Sequence, residues 1–461
     1  MDTDTLRAHL RDLLGEAGVV DAADAAQRPA GFMRQDTVQC RLLARPRSTA
    51  EVAAVLRLCH AQRIPVVPHG GRTGLVHGAD ATPAQLVLSL ERMNAIEAID
   101  PRQRVAVAQA GVTLQALQEA VQPHGLAFPL DLGARGSATL GGNAATNAGG
   151  NRVIRHGMMR ERVLGLEAVL ADGTVVSSLN RMLKNNAGYD LKQLFIGSEG
   201  TLGVITRLVL RLAELPASQN VALVALPDFD AVAALLGHMD RALGGGLSAF
   251  EVMWRAFYEL VTTPPAASAP PLAHGQPFYA LVESQGADQA LDGPRFVAAL
   301  EAAMAQGWIV DAAVAGSARE CAALWALRDD VMQTARHGWP FTFDVSLPIA
   351  AMEGYVAQVQ GALAARWPAH HCWVFGHLGD GNLHVVIHTG ADGDRAAVEQ
   401  IVYAPLAPLQ GSVSAEHGIG LEKKPYLHLS RSVAEIALMR TLKQALDPLQ
   451  LLNPGKVLHD S

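Results

Sequence analysis

Apolar positions along the chain alternate between helical and strand spacing, which divides it into short mixed elements. Leu6, Leu10, Leu13 and Leu14 share a helical face, so residues 1–40 are expected to form short helices. Ser48 or Thr49 can cap a helix whose apolar face runs through Val52, Val55, Leu56 and Leu58. Ile64–Pro68 reads as a short strand opening into His69-Gly70-Gly71-Arg72-Thr73-Gly74, the start of a β–α–β unit. Leu164–Leu170, turning at Ala171-Asp172-Gly173 into Thr174–Val176, predicts a hairpin. Val204–Thr206 is a further strand. Asn220–Leu226 is another, with a helix starting at Pro227–Asp230. Arg431–Leu446 has helical spacing.

The most informative pattern is an apolar run ending Trp373-Val374-Phe375, then Gly376-His377-Leu378-Gly379-Asp380-Gly381-Asn382-Leu383-His384, then Val385-Val386-Ile387. Asp-Gly between β-rich runs predicts a two-residue turn. Counting outward from Asp380-Gly381 pairs Gly379 with Asn382, Leu378 with Leu383 and His377 with His384. The same register sets Phe375 opposite Val386 and leaves Asn382 beside the turn as a cap. Directly opposed side chains have Cβ atoms about 4.5–5.5 Å apart, so the two imidazoles could share one divalent metal. Two ordinary surface histidines beside a turn are the competing reading. Ser414-Ala415-Glu416-His417-Gly418-Ile419-Gly420 supplies a carboxylate and another imidazole. Glu416 would complete a two-His-one-carboxylate set, leaving His417 as a base.

Composition narrows the class. At 461 residues the chain exceeds one hydrophobic core, so two or three structural units are expected. Hydrophobic residues at 49% and charged residues at 18% fit a well-packed enzyme. The net charge of −7, with Lys423-Lys424 as the only notable basic run, argues against a nucleic-acid partner. Cys40, Cys59, Cys321 and Cys372 are scattered without a CxxC pair and read as reduced thiols. The acidic, then helical N-terminus is unlike a signal peptide, and no apolar run reaches the roughly 18 residues a membrane span needs. A cytoplasmic protein without a transmembrane segment is expected.

Three glycine-rich stretches punctuate the first half. The Gly70-Gly71 loop follows a strand and can present backbone N–H groups to a pyrophosphate, but many tight turns contain Gly-Gly. It lacks the G-x-G-x-x-G spacing of a dinucleotide fold, so NAD in a Rossmann domain is not supported. Residues 129–151, from Pro129 through Gly136, Ser137, Thr139, Gly141, Gly142, Asn143, Thr146, Asn147, Gly149 and Gly150, are more specific. Their glycines let backbone approach a flat or charged ligand, and Ser137, Thr139, Asn143, Thr146 and Asn147 can satisfy its polar edge. Gly197-Ser198-Glu199-Gly200-Thr201-Leu202-Gly203 forms a third loop before the strand containing Ile205.

Together these three loops resemble the vanillyl-alcohol-oxidase-type flavoproteins. Within that family the His377…His384 stretch, the Glu416-His417 loop and Leu452-Asn453-Pro454-Gly455-Lys456 resemble the FAD-linked D-2-hydroxy-acid dehydrogenases of the D-lactate and D-2-hydroxyglutarate types. The motifs run in order from about Arg45 to Leu458. The resemblance implies an α+β fold, with a two-lobed FAD-binding domain and a cap domain whose antiparallel sheet is covered by helices. Domain bounds of 1–215, 216–414 and 415–461 are expected, the last segment returning to the flavin. It implies non-covalent FAD, since Thr73 stands where relatives with a histidyl flavin carry the histidine, and His69 and His77 lie elsewhere. The implied cofactor-binding positions are Pro68, His69, Gly70, Gly71, Arg72, Thr73, Gly74, Glu199, Gly200, Gly203, Ile205, Asn453 and those of residues 129–151 named above.

The resemblance further implies a divalent metal, usually zinc, on His377, His384 and Glu416, with His417 as the base. It makes Arg328 the clamp for the substrate carboxylate; a solvated helix charge paired with Asp329 or Asp330 is the alternative. Members acting on 2-hydroxyglutarate carry a Lys where Thr342 stands, an Asn at Val386 and often a Thr at Met332. Each change removes a polar partner for a distal carboxylate, so D-lactate or a similar short substrate is expected, with D-2-hydroxyglutarate as the alternative should Arg72 or Arg336 reach the site. An oxygen-using oxidase and a non-catalytic flavin- or metal-binding protein are the rivals. The electron acceptor is left open among electron-transfer flavoprotein, a quinone and a cytochrome, and a homodimer is one assembly left open.

Overall fold

A computed structural model describes residues 1–32 and 34–459. The chain divides into two compact units. The first is Met1–Gly150, Gly157–Leu215 and Glu416–Ser461; the second is Asn151–His156 and Pro216–Ala415.

The first unit carries β1 (Val19–Asp21), β2 (Leu42–Ala44), β3 (Val66–His69), β4 (Leu86–Ser89), β5 (Ile96–Asp100), β6 (Val105–Gln109), β7 (Leu126–Ala127), β8 (Val163–Val169), β9 (Val175–Ser178), β10 (Val204–Arg211) and β11 (Ala213–Glu214). They form two lobes. One is a four-stranded sheet in the order β1-β2-β4-β3, parallel except for β1 against β2. The other is a five-stranded antiparallel sheet in the order β5-β6-β10-β8-β9, with β7 and β11 pairing separately. The first helix, Thr3–Leu14, buries Leu6, Leu10 and Leu14, while Leu13 is 40% exposed. Ser48 Oγ caps the helix Thr49–Ala61 by accepting from Glu51 N–H. The β8–β9 hairpin forms as expected. The C-terminal residues 451–453 lie beside β3, with Leu451 O and Val66 O taking part in 2.8 Å backbone bonds. Lys423 is buried and Lys424 bonds Gly455 O, so the one basic run is not a surface patch.

The second unit is built on β12 (Ser218–Leu226), β13 (Leu247–Trp254), β14 (Phe278–Gly286), β15 (Asp311–Val314), β16 (Phe341–Ser346), β17 (His371–His377) and β18 (Asn382–His388). These form one antiparallel sheet in the order β15-β12-β14-β13-β17-β18-β16. Phe257, Tyr258 and Val261 of the helix Arg255–Thr262, with Trp325 of the helix Ala318–Asp329, pack on Met253, Leu281 and Phe375 of the sheet. The helices Phe229–Leu243 and Gln289–Ala305 pack against each other and on β12 to β14.

The register of the histidine hairpin differs from the sequence expectation. Phe375, not His377, stands opposite His384, and Trp373, not Phe375, opposes Val386. A two-residue type I′ turn needs positive φ at both central residues, but only Gly381 (φ +84°) supplies it. Leu378 is fully buried, and Leu378–Asp380 winds into a 3₁₀ turn instead. The connection is longer, and the register moves by two residues. A two-residue slip preserves parity, so both imidazoles stay on one face as diagonal neighbours. The stretch 129–151 likewise holds a short helix, Leu140–Thr146, where the sequence suggested loop throughout.

Candidate functional site

The first unit encloses a cavity of about 370 Å³. Its wall takes in Pro68, His69, Gly70, Gly71, Arg72, Thr73 and Gly74 from the end of β3, and Gly141, Gly142, Asn143, Thr146 and Gly149 from the glycine-rich helix and its exit. Glu199, Gly200, Gly203, Ile205 and Asn453 complete the expected set, and Glu416 and His417 line the same cavity. Pro129, Gly136, Ser137, Asn147 and Gly150 are not on this wall; they shape its supports. A Cβ on Gly71 would come within 2.0 Å of Ser137 O, so the 68–74 loop presses against the 137–142 segment with backbone alone. Asn147, at φ +51°, ends the short helix and accepts from Arg160 N–H at 2.9 Å. Gly150 is packed against Asp131 O.

Electrostatics on this wall favour a polar, anionic ligand. Burial holds the Arg72 guanidinium below its ordinary range, and Arg28 adds to that. An added negative charge would relieve both effects. Burial pushes the His69 imidazole down to about 4, so the ring is neutral and its Nε2–H donates to Ala79 O at 2.7 Å. Asn143 Nδ2 and Asn453 Oδ1 are buried on the wall without a hydrogen-bond partner. Such groups are costly unless a ligand satisfies them. A flat, polar-edged cofactor with a pyrophosphate fits these features. The residues present therefore suit FAD.

Glu199 does more than line the cavity. Its oxygens accept from Ile419 N–H (2.7 Å) and Gly420 N–H (2.8 Å), fastening the loop that carries His417. Burial raises its carboxyl above the usual carboxylate range, against the pull of those two amides. The sequence reading overlooked Arg34 and Asp80, which pair on the same wall, with His77 Nδ1 2.9 Å from Asp80 Oδ2. No spacing signal joins those positions.

The second unit holds the histidine pair. His377 Nε2 and His384 Nε2 are 3.3 Å apart. Behind each ring lies a carboxylate. Glu251 Oε1 accepts from His377 Nδ1 at 2.6 Å, and Asp344 Oδ1 is 3.6 Å from His384 Nδ1. Cross-strand pairing explains both, since Glu251 stands directly opposite His377 and Asp344 directly opposite His384. A carboxylate that keeps the proton on Nδ1 makes Nε2 the unprotonated nitrogen, the one a cation would take. Two imidazole Nε2 atoms side by side are two of the donors a divalent metal would need.

Arg328 is 5% exposed, which rules out a solvated helix charge. Its Nε donates to Glu251 Oε2 at 2.7 Å, the guanidinium carbon lies 5.1 Å from the Phe375 ring centre, and Asp329 is no closer than 3.8 Å. Nη2 is buried without a partner, as are both polar atoms of the Asn382 side chain. Asn382 is therefore not a side-chain cap; its backbone N–H donates to Asp380 Oδ1. Burial alone would raise the Glu251 carboxyl, but His377 and Arg328 outweigh it and hold the group below its usual range. Of the side chains expected at the distal end of a substrate, Val386 is buried in the apolar cluster opposite Thr342, which is exposed. Met332 is 48% exposed and lies in the 3₁₀ segment Val331–His337, past the end of the helix that carries Arg328.

Residues 40–178 match the FAD binding domain family, and residues 215–457 match the FAD linked oxidases, C-terminal domain family. A D-2-hydroxyglutarate dehydrogenase of Xanthomonas citri pv. viticola is 42% identical over 450 residues, covering 96% of this chain and 94% of that protein. This chain belongs to the FAD-linked D-2-hydroxy-acid dehydrogenases. The mitochondrial D-2-hydroxyglutarate dehydrogenase of Bos taurus is 42% identical over 421 residues, covering 91% of this chain and 77% of that protein. Among solved structures, 4-ethylphenol oxidase from Gulosibacter chungangensis superposes with a TM-score of 0.74 at 18% identity over 98% of this chain and 96% of that one. p-Cresol methylhydroxylase gives 0.76 at 14% identity over 99% and 97%. These likenesses establish the α+β, vanillyl-alcohol-oxidase-type fold. As a family member the chain is an FAD-dependent oxidoreductase. Among the described residues, no helix is long and apolar enough to cross a membrane.

Proposed function

We propose that this protein oxidises D-2-hydroxyglutarate to the 2-oxo acid, passing a hydride to non-covalently bound FAD. The observation that carries a 2-hydroxy-acid substrate is the buried Arg328 guanidinium, fixed through Nε and presenting a partnerless Nη2. A substrate carboxylate would satisfy it in a charge-assisted bond. What favours the dicarboxylate over D-lactate is the name shared by relatives at 42% identity. Arg336, whose guanidinium is held by the neutral oxygens Gln333 Oε1 and Thr263 O, is the cation this reading assigns to the distal carboxylate. The apolar Val386 and Met332 remain the argument for D-lactate.

In this reading Arg328 binds and orients the carboxylate, and the Asn382 amide offers a donor and an acceptor to the same ligand. His377 and His384 would hold a divalent metal, zinc by family resemblance, which would polarise the substrate hydroxyl. Glu416 and His417 keep the roles their motif implies, carboxylate ligand and base; His417 takes the hydroxyl proton. FAD held in the first unit would supply the two-electron acceptor for the hydride leaving Cα, so proton and electron pair are both accounted for. Electrons then leave to a non-NAD acceptor such as electron-transfer flavoprotein or a quinone.

The test is the flavin absorption of the purified protein under anaerobic conditions. Bleaching by D-2-hydroxyglutarate at far lower concentration than by D-lactate, and none by the L forms, is expected. The reverse order of the two D substrates would restore D-lactate, and a flavin that neither reduces would sink the assignment. Peroxide release during turnover would indicate an oxidase instead.

A further inference from the structure

Glu251 is fully buried in the middle of the seven-stranded sheet, and its two oxygens serve two different groups: Oε1 takes His377 Nδ1–H at 2.6 Å and Oε2 takes Arg328 Nε–H at 2.7 Å. We propose that Glu251 is a positioning residue that links metal binding at the His377–His384 pair to carboxylate binding at Arg328. The proposal rests on the metal reading of that pair.

The geometry leaves few other duties for Glu251. The helix Ala318–Asp329 is already fastened to the sheet by a second buried carboxylate. Glu283 accepts from Trp325 Nε1 at 2.9 Å, and also from Arg152, Ser248 and Gln219. With Trp325 anchored one turn earlier, Glu251 is free to aim the Arg328 guanidinium and the His377 ring. His377 Nε2 lies across the ring from the nitrogen that Glu251 holds, and Arg328 Nη2 is left without a partner beside the Nε that Glu251 holds. A cation on Nε2 draws electron density from the ring and makes Nδ1–H a stronger donor to Glu251, so the state of one site is felt at the other. Direct cross-strand pairing of Glu251 with His377 gives the link a short, rigid path.

The experiment uses the FAD-loaded protein, stripped with a chelator and titrated with Zn²⁺ against a chromogenic competitor. E251Q should bind Zn²⁺ about 10–100-fold more weakly while flavin content stays near that of the unaltered protein, although its melting temperature falls because the buried Arg328 loses its charge partner. R328M removes the other partner of Glu251, so its Zn²⁺ affinity should shift about fivefold or more from that of the unaltered protein while D-2-hydroxyglutarate binding collapses. E251Q with unchanged Zn²⁺ affinity overturns the proposal. So does an R328M protein whose Zn²⁺ affinity stays within about twofold of the unaltered protein, and this arm decides the matter alone should E251Q not fold. An unaltered protein that binds no Zn²⁺ removes the metal reading itself, which separates that failure from the failure of the link.

Discussion

The cavity of the first unit and the histidine pair of the second use opposite resources of a polypeptide. Around the cavity, the 68–74 and 137–142 segments meet through glycine backbone, with Gly71 against Ser137 O, and the wall is made by leaving side chains out. Around the histidine pair, the wall is made by burying charge: Glu251, Glu283, Asp344 and Arg328 are all at most 5% exposed. A backbone cradle is disturbed by added atoms, and less than buried charge is by a lost partner. Buried charge tolerates neither a lost partner nor a lost proton.

That contrast can be broken or sharpened in several ways. The largest effect is expected from E283A, which leaves Arg152 and Trp325 without their acceptor; it should destabilise the protein by about 3–5 kcal/mol, read by chemical unfolding. R328M comes next, with kcat/KM for the hydroxy acid falling about 10²–10³-fold, mostly through KM, in steady-state assays. A pH titration of stability probes the first unit. The unfolded His69 titrates near 6.5 and the folded ring near 4, so as pH falls through that window the unfolded chain takes up a proton the folded one refuses. Stability should be full above about pH 6.5 and drop by about 3 kcal/mol toward pH 4, and H69Q should flatten this slope. The smallest effect is G71A, whose Cβ must displace Ser137 O; it should cost about 1–3 kcal/mol, seen as weaker FAD retention on dilution. If G71A proved harsher than E283A, the contrast between the two kinds of wall would be wrong.

The same contrast explains what the sequence made readable. Glycine spacing announces itself, so Gly70-Gly71, Gly141-Gly142 and Gly200 could be placed on a ligand wall before any coordinates. His377 and His384 were legible as a pair because parity along a strand survives a two-residue slip, even though the turn and register did not follow the Asp-Gly rule. Glu251 was not legible. It sits in Leu247–Trp254 among apolar residues, and its partners lie 77 and 126 positions away. Nothing local marks such a residue; only the order of strands in the sheet brings it to His377. Arg152, 131 positions from Glu283, was hidden for the same reason.

The hexapeptide Asn151–His156, which groups with the second unit although both its flanks belong to the first, also constrains the order in which the protein can be made. Arg152 leaves the ribosome 131 residues before Glu283, and the first unit waits still longer for Glu416–Ser461. Neither unit can close from a contiguous nascent segment. The second unit is complete only at Ala415 and the first only with the segment that begins at Glu416, so both depend on late, long-range pairing, which is slow. It follows that excising residues 216–415 would not release a clean flavin module: the hexapeptide would remain behind without Glu283, which its arginine holds.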